Sequence, residues 1–253
     1  MRLNDLRASL FGLIAAVALN SMSGSALAGI VAGWDFDPIS SSAGATSPYA
    51  PAQAASELTI VGLTRGFGVS LSSVNDGWGG NLFNSSDAAR AEIDGKFITF
   101  SLTPNSTTSL SLSNIDAYNV RRSSSLSATM GQWQYDVGSG YANIGSAINW
   151  GSSLATSGNA QPAIDLSGIS SLQNIAPSTT VTFRLLVWGG LPPSFGTFYL
   201  NDPPTASSDL DFSLQGTLTA VSVPEPSGLL MGALASALVV AARIGKRLRR
   251  VLS

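Results

Sequence analysis

Apolar and polar residues alternate with period two along much of this chain. Trp34 and Phe36 alternate with Asp35 and Asp37, and Ile98, Phe100 and Leu102 with Phe97, Thr99 and Ser101. Leu110 and Leu112 alternate with Ser109, Ser111 and Ser113, and Trp133, Tyr135 and Val137 with Gln132, Gln134 and Asp136. Val181, Phe183, Leu185 and Val187 alternate with Thr182, Arg184 and Leu186, and Leu210, Phe212 and Leu214 with Asp211, Ser213 and Gln215. Successive strand side chains point to opposite faces, so each run offers one face to a core and, for the most part, one to water. Clusters of Gly, Pro, Asn, Asp and Ser separate the runs. The pattern predicts an all-β fold, an antiparallel β-sandwich. Residues 38–55 have no period and read as a long surface loop. Residues 164–172 read as one helical turn capped by Asp165 or Ser167. Pro192-Pro193 and Pro203-Pro204 break the late strands into pieces. Gly77-Trp78-Gly79-Gly80 reads as a turn.

The two ends follow a different pattern. Arg2 and Arg7 precede an apolar stretch, Leu10 to Leu19, and then the small-residue sequence Ala26-Leu27-Ala28. That order predicts a signal peptide over residues 1–28, cut after Ala28. Near the other end, Val223-Pro224-Glu225-Pro226 is followed by the uncharged run 228–242, then by Arg243, Lys246, Arg247, Arg249 and Arg250. As a helix the run spans roughly 22 Å, short of a hydrocarbon core of about 30 Å. Ile244 extends it, so a transmembrane helix is expected over about 228–244, with Arg243 snorkelling. The basic residues behind it act as a stop-transfer signal and place that end on the cytoplasmic side.

These C-terminal features together resemble the PEP-CTERM sorting signal of Gram-negative bacteria. The resemblance rests on Val223 to Pro226, the apolar run and the Arg/Lys cluster, and covers about the last thirty residues given. It implies recognition by an exosortase, a membrane-embedded processing enzyme, with removal of the tail at the inner membrane and delivery to the cell surface or outside. Such proteins accompany exopolysaccharide and biofilm production. Tyr118 to Ser123, Trp133 to Val137 and Val181 to Gly189 are also similar to a β-sandwich module of exported PEP-CTERM proteins, which implies a jelly-roll or concanavalin-like architecture and no established activity. The expected organisation is therefore a signal peptide (1–28), an exported β-sandwich domain (29–222) and a sorting tail (223–253).

Composition narrows the chemistry. The chain has no Cys and no His, which excludes disulfides, Ser-His-Asp and Cys-His sites and His-based zinc centres. Residues 29–222 carry six basic and thirteen acidic side chains, a net charge of −7 against −2 for the whole chain. An acidic domain without basic clusters is a poor nucleic-acid binder. No phosphate-binding glycine motif occurs. Only carboxylate chemistry is left for an enzyme, and no spacing selects a pair, so no catalytic residue is assigned and a non-enzymatic protein is expected.

Two binding constellations stand out. Asp35 and Asp37 share a face of the first strand, and Asp209 and Asp211 a face of the last. First and last strands often lie side by side in sandwiches, and four acids brought together would repel unless a hard cation intervened. Calcium is the cofactor this pattern suggests, against the plainer reading of a solvated acidic face. Trp78, Trp150 and Trp188 lie in or beside glycine-containing turns, where a ring could present a flat face to a sugar, against the plainer reading of buried rings. Three functions fit, in this order: a structural or adhesive protein in an exopolysaccharide layer, a carbohydrate-binding lectin-like module, and a carboxylate-dependent glycosidase.

Overall fold

The computed structural model describes residues 27–40, 46–191, 196–202 and 210–221. Most of the signal peptide, the sorting motif, the apolar run and the basic cluster lie outside these residues, as do Ala26 and Asp209. Among the described residues no helix is long and apolar enough to cross a membrane.

The first half contains β1 (Leu27–Trp34), β2 (Gln53–Ala54), β3 (Leu58–Arg65), β4 (Ser70–Leu71), β5 (Gly77–Asn81), the helix α1 (Ala88–Ile93), β6 (Phe97–Pro104) and β7 (Thr108–Ile115). There follow β8 (Tyr118–Arg121), β9 (Met130–Asp136), β10 (Ala142–Asn143), β11 (Ile148–Asn149), β12 (Asn159–Gln161), β13 (Ile164–Asp165), β14 (Val181–Trp188), β15 (Phe198–Asn201) and β16 (Phe212–Ala220). They form three sheets, ordered β13-β7-β16-β1-β2, β10-β9-β14-β6-β3 with β11 also on β9, and β12-β8-β15-β5-β4. Neighbouring strands run antiparallel in each. The described residues thus form a mostly antiparallel all-β domain, as the alternation predicts.

Aromatic rings join the sheets. Trp34 and Phe212 of the first sheet meet Phe100 and Trp133 of the second, with centroids 5.1 Å apart for Trp34–Phe100 and 5.7 Å for the stacked Trp133–Phe212 pair. The third sheet adds Trp78, Val120, Phe198 and Leu200 to the same buried cluster. Trp34, Phe100, Trp133 and Phe212 sit at inward positions of period-two runs, so their burial follows directly from strand geometry.

Four expectations need correction. Arg184, Gln132 and Gln134 occupy the face expected to meet water, yet all three are buried. α1 covers part of the outer face of the second sheet over β14, where Ala91, Leu186 and Trp188 form a small second core and Glu92 meets Arg184, while Gln132 is held by the Ile144 and Gly145 carbonyls and Gln134 by Asn143. Arg184 is held there by Gln134 Oε1 and by Glu92 at 2.8 Å, with its guanidinium 3.6 Å from the centre of the Tyr141 ring. Asp87 caps α1 by accepting the Arg90 N–H at 2.8 Å. Second, residues 77–80 form a strand and not a turn. Glycine is required there because a Cβ on Gly79 would lie 2.0 Å from the Phe198 carbonyl oxygen. Third, the helical turn in residues 164–172 is confined to a 3-10 turn at Ser170–Leu172, without a side-chain cap. Asp165 instead accepts the Ser167 N–H. Fourth, part of the long loop is structured: β2 pairs with β1, and Tyr49 exchanges backbone bonds with Leu63.

Gly131 on β9 gives a sharp packing test. A Cβ there would lie 2.1 Å from the Trp150 ring, which is buried and packed on Phe198. Gly131→Ala is expected to lower stability by about 1–3 kcal/mol, since the ring has no room to retreat. Chemical unfolding of parent and variant measures it, and an unchanged midpoint would show that Trp150 is loosely held.

Candidate functional site

The register of β1 against β16 builds the acidic site. Trp34 pairs with Phe212 as the last pair of this ladder. Asp35 is therefore the first residue beyond β1 and Asp211 the last before β16, on adjacent antiparallel segments. Asp211 donates its N–H to the Trp34 carbonyl at 2.8 Å, and Asp211 Oδ2 accepts the Phe36 N–H at 2.6 Å. Asp35 Oδ1 accepts the Asp37 N–H at 2.8 Å. Trp34 and Phe36 point inward, so Asp35 and Asp37 fall on the opposite side, where Asp211 also lies.

One oxygen from each of Asp35, Asp37 and Asp211 lies within 4.8 Å of the others. Oxygens so spaced need only a small inward shift to reach one calcium at its bond length of about 2.4 Å. Asp211 is only 7 % exposed. Its pKa is pushed up to about 7, chiefly by burial, then by a hydrogen bond shared with Asp202 and by the charges of Asp202 and Asp37. The Tyr49 hydroxyl donates to the Asp35 carbonyl at 2.7 Å. Its pKa is also raised, by burial first and then by Asp35 and Asp211. The site is an electrostatically strained group of acids that a proton or a hard cation would relieve.

Of the residues expected from the sequence, Asp35, Asp37 and Asp211 come together, and Asp209 lies outside the described residues. Asp202 was missed. It follows β15, a strand of the third sheet that the sequence pattern does not reveal. The only local signal is Asn201-Asp202 directly before Pro203-Pro204, a strand-ending sequence. Asp202 also lines an open depression of about 470 Å³ with Asp76, Arg121 and Asn201. The buried Oδ1 of Asn201 has no hydrogen-bond partner.

The tryptophan platform is corrected. Trp78, Trp150 and Trp188 are all buried, at 0 %, 1 % and 8 % exposure. Trp78 donates its indole N–H to the Thr46 carbonyl and lies under the Arg65 guanidinium. Trp150 is sealed beneath Gly131, and Trp188 packs with Leu186 and Ala91. For Trp150 the reason is Gly131, whose missing Cβ leaves room for the ring. None presents a free face to a sugar.

Ala28, the expected cleavage residue, belongs to β1, where it pairs with Thr217. Cutting after it would leave Gly29–Trp34 of that strand in place. No family model, curated protein or solved structure matches the chain.

Proposed function

We propose that this chain is an exported protein of the cell surface or extracellular matrix, structural or adhesive and non-enzymatic, set in an exopolysaccharide layer. Its domain is a jelly-roll or concanavalin-like sandwich. Its PEP-CTERM-like tail, headed by Val223, Pro224, Glu225 and Pro226, directs it to an exosortase-type enzyme at the inner membrane. The supporting observation is the register of β1 and β16. Leu27 pairs with Leu218, so the start of the first strand and the end of the last lie at one end of the first sheet. Val221 is held there by the Thr107 carbonyl at 2.8 Å. Both membrane-directed segments read from the sequence join the domain at that end. The acids Asp35, Asp37 and Asp211 lie at the other, roughly 23 Å away at about 3.3 Å per residue. The domain can therefore complete its sheets while both segments remain in a bilayer, with its acidic end turned from an anionic leaflet.

Calcium at Asp35, Asp37 and Asp211 is part of this reading, as a clip between the first and last strands. A lectin-like module is the second reading. It now rests on the polar depression beside Asp202, where the unpartnered Asn201 acceptor would take a sugar hydroxyl.

Replacing Pro224, Glu225 and Pro226 together by alanine is expected to leave export intact and hold the protein in the inner membrane. Fractionation with surface protease digestion measures this. Normal surface delivery of the variant would remove the sorting role of the motif.

A further inference from the structure

Another open depression, of about 540 Å³, is lined by Arg122, Ser125, Thr129, Asn149, Gly151 and Ser152. We propose that it is an oxyanion-binding subsite whose chemistry matches the carboxylate of a uronic acid sugar.

The argument begins with Arg122, which is only 3 % exposed. Among the described residues it forms no ion pair; the two ion pairs there belong to Arg90 and Arg184. Three backbone carbonyls hold its guanidinium, those of Gly151 at 3.0 Å, Ser125 at 3.2 Å and Ser127 at 3.1 Å. Its Nε–H is buried without an acceptor. A buried cation is costly unless it is paired with an opposite charge, and carbonyl dipoles meet only part of that cost. Burial accordingly lowers the Arg122 pKa. Arg184, the other buried arginine, has the counter-charge of Glu92 that Arg122 lacks.

The rest of the lining gives the ligand class. It supplies three hydroxyls and one carboxamide, with no carboxylate and no aromatic ring. An anion meets no like charge at the wall, and hydroxyls beside a carboxylate find donors and acceptors. The volume falls within the roughly 300–1,000 Å³ of small-ligand sites. A domain of net charge −7 repels polyanions at long range, so binding would depend on this spot. A uronate polymer as the source rests on the exopolysaccharide reading above, whereas the oxyanion site itself does not.

The test uses the full-length protein in detergent, labelled with ¹⁵N at arginine side chains. It is titrated with a galacturonate trimer, a neutral trimer of the same length, acetate and sulfate. The trimer of uronates is expected to shift the Arg122 Nε–Hε resonance, with affinity at least tenfold above the neutral trimer and at least tenfold lower in Arg122→Gln. Should that variant not fold, Asn149→Ala with Ser152→Ala keeps the cation and is expected to weaken trimer binding severalfold. Acetate or sulfate binding as tightly as the trimer would assign the subsite to free anions and overturn the sugar source alone. An Arg122 signal indifferent to every anion, or a neutral trimer binding equally well, would overturn the subsite, whatever the fate of the sorting reading.

Discussion

Phe183→Ala is expected to destabilise the domain by about 3–5 kcal/mol. Phe183 is fully buried and stacked on Phe100, with centroids 5.1 Å apart and planes 12° apart. It sits on β14, which is hydrogen-bonded on both sides, to β6 and to β9. Strands fixed by two ladders cannot move inward to fill the space a lost ring leaves. The chain has no cysteine to form a covalent staple. The loss is therefore a large part of the roughly 5–15 kcal/mol that holds a typical domain together. Chemical unfolding followed by tryptophan emission measures it, and a loss below about 1 kcal/mol would mean that the site collapses freely or that the ring is not core.

Stability should fall as pH rises from about 4 to 7. Asp211 titrates near 7 in the folded protein, against an ordinary value of 3.8. Between those values the folded state keeps a proton that the unfolded chain has released. Raising the pH therefore favours unfolding, and the effect is complete above the folded value. At about 1.4 kcal/mol per pH unit, reduced for solvent screening around the neighbouring acids, the loss is about 2–3 kcal/mol. Asp211→Asn should remove the slope and stabilise the protein at pH 8, because the amide oxygen can still accept the Phe36 N–H. Asp211→Ala strands that N–H and should cost about 1–3 kcal/mol at pH 5.

Calcium tests the other way of relieving the same strain. At a hundredfold excess over its dissociation constant it would add about 2.7 kcal/mol. The rise in melting temperature should be larger at pH 8 than at pH 5, where the proton already occupies Asp211. A pH slope without a calcium response would leave the proton as the sole relief, and a flat profile would show that the acids are unstrained. Thermal melts at the two pH values, with calcium and with chelator, separate these outcomes.

The sequence by itself determined which residues face the core of the long strands. Trp34, Phe100, Leu112, Trp133, Phe183 and Phe212 are all buried, as their period-two positions require. It also determined that the acidic pair at the end of the first strand's run and Asp211 before the last could meet, because that needs only the antiparallel pairing of two strands. The tertiary structure decided what lies behind each strand's second face. A six-residue helix, too short to announce itself by periodicity, meets Arg184 through Glu92, and the segment 143–145 closes over Gln132 and Gln134. The third sheet likewise turned a glycine-rich segment into a strand and drew Trp78 inward. It also brought Asp202 to Asp211 across the eight residues that separate them in the chain. Alternation records which way a side chain points from its own strand, but burial also depends on the element packed opposite, and that element comes from elsewhere in the chain.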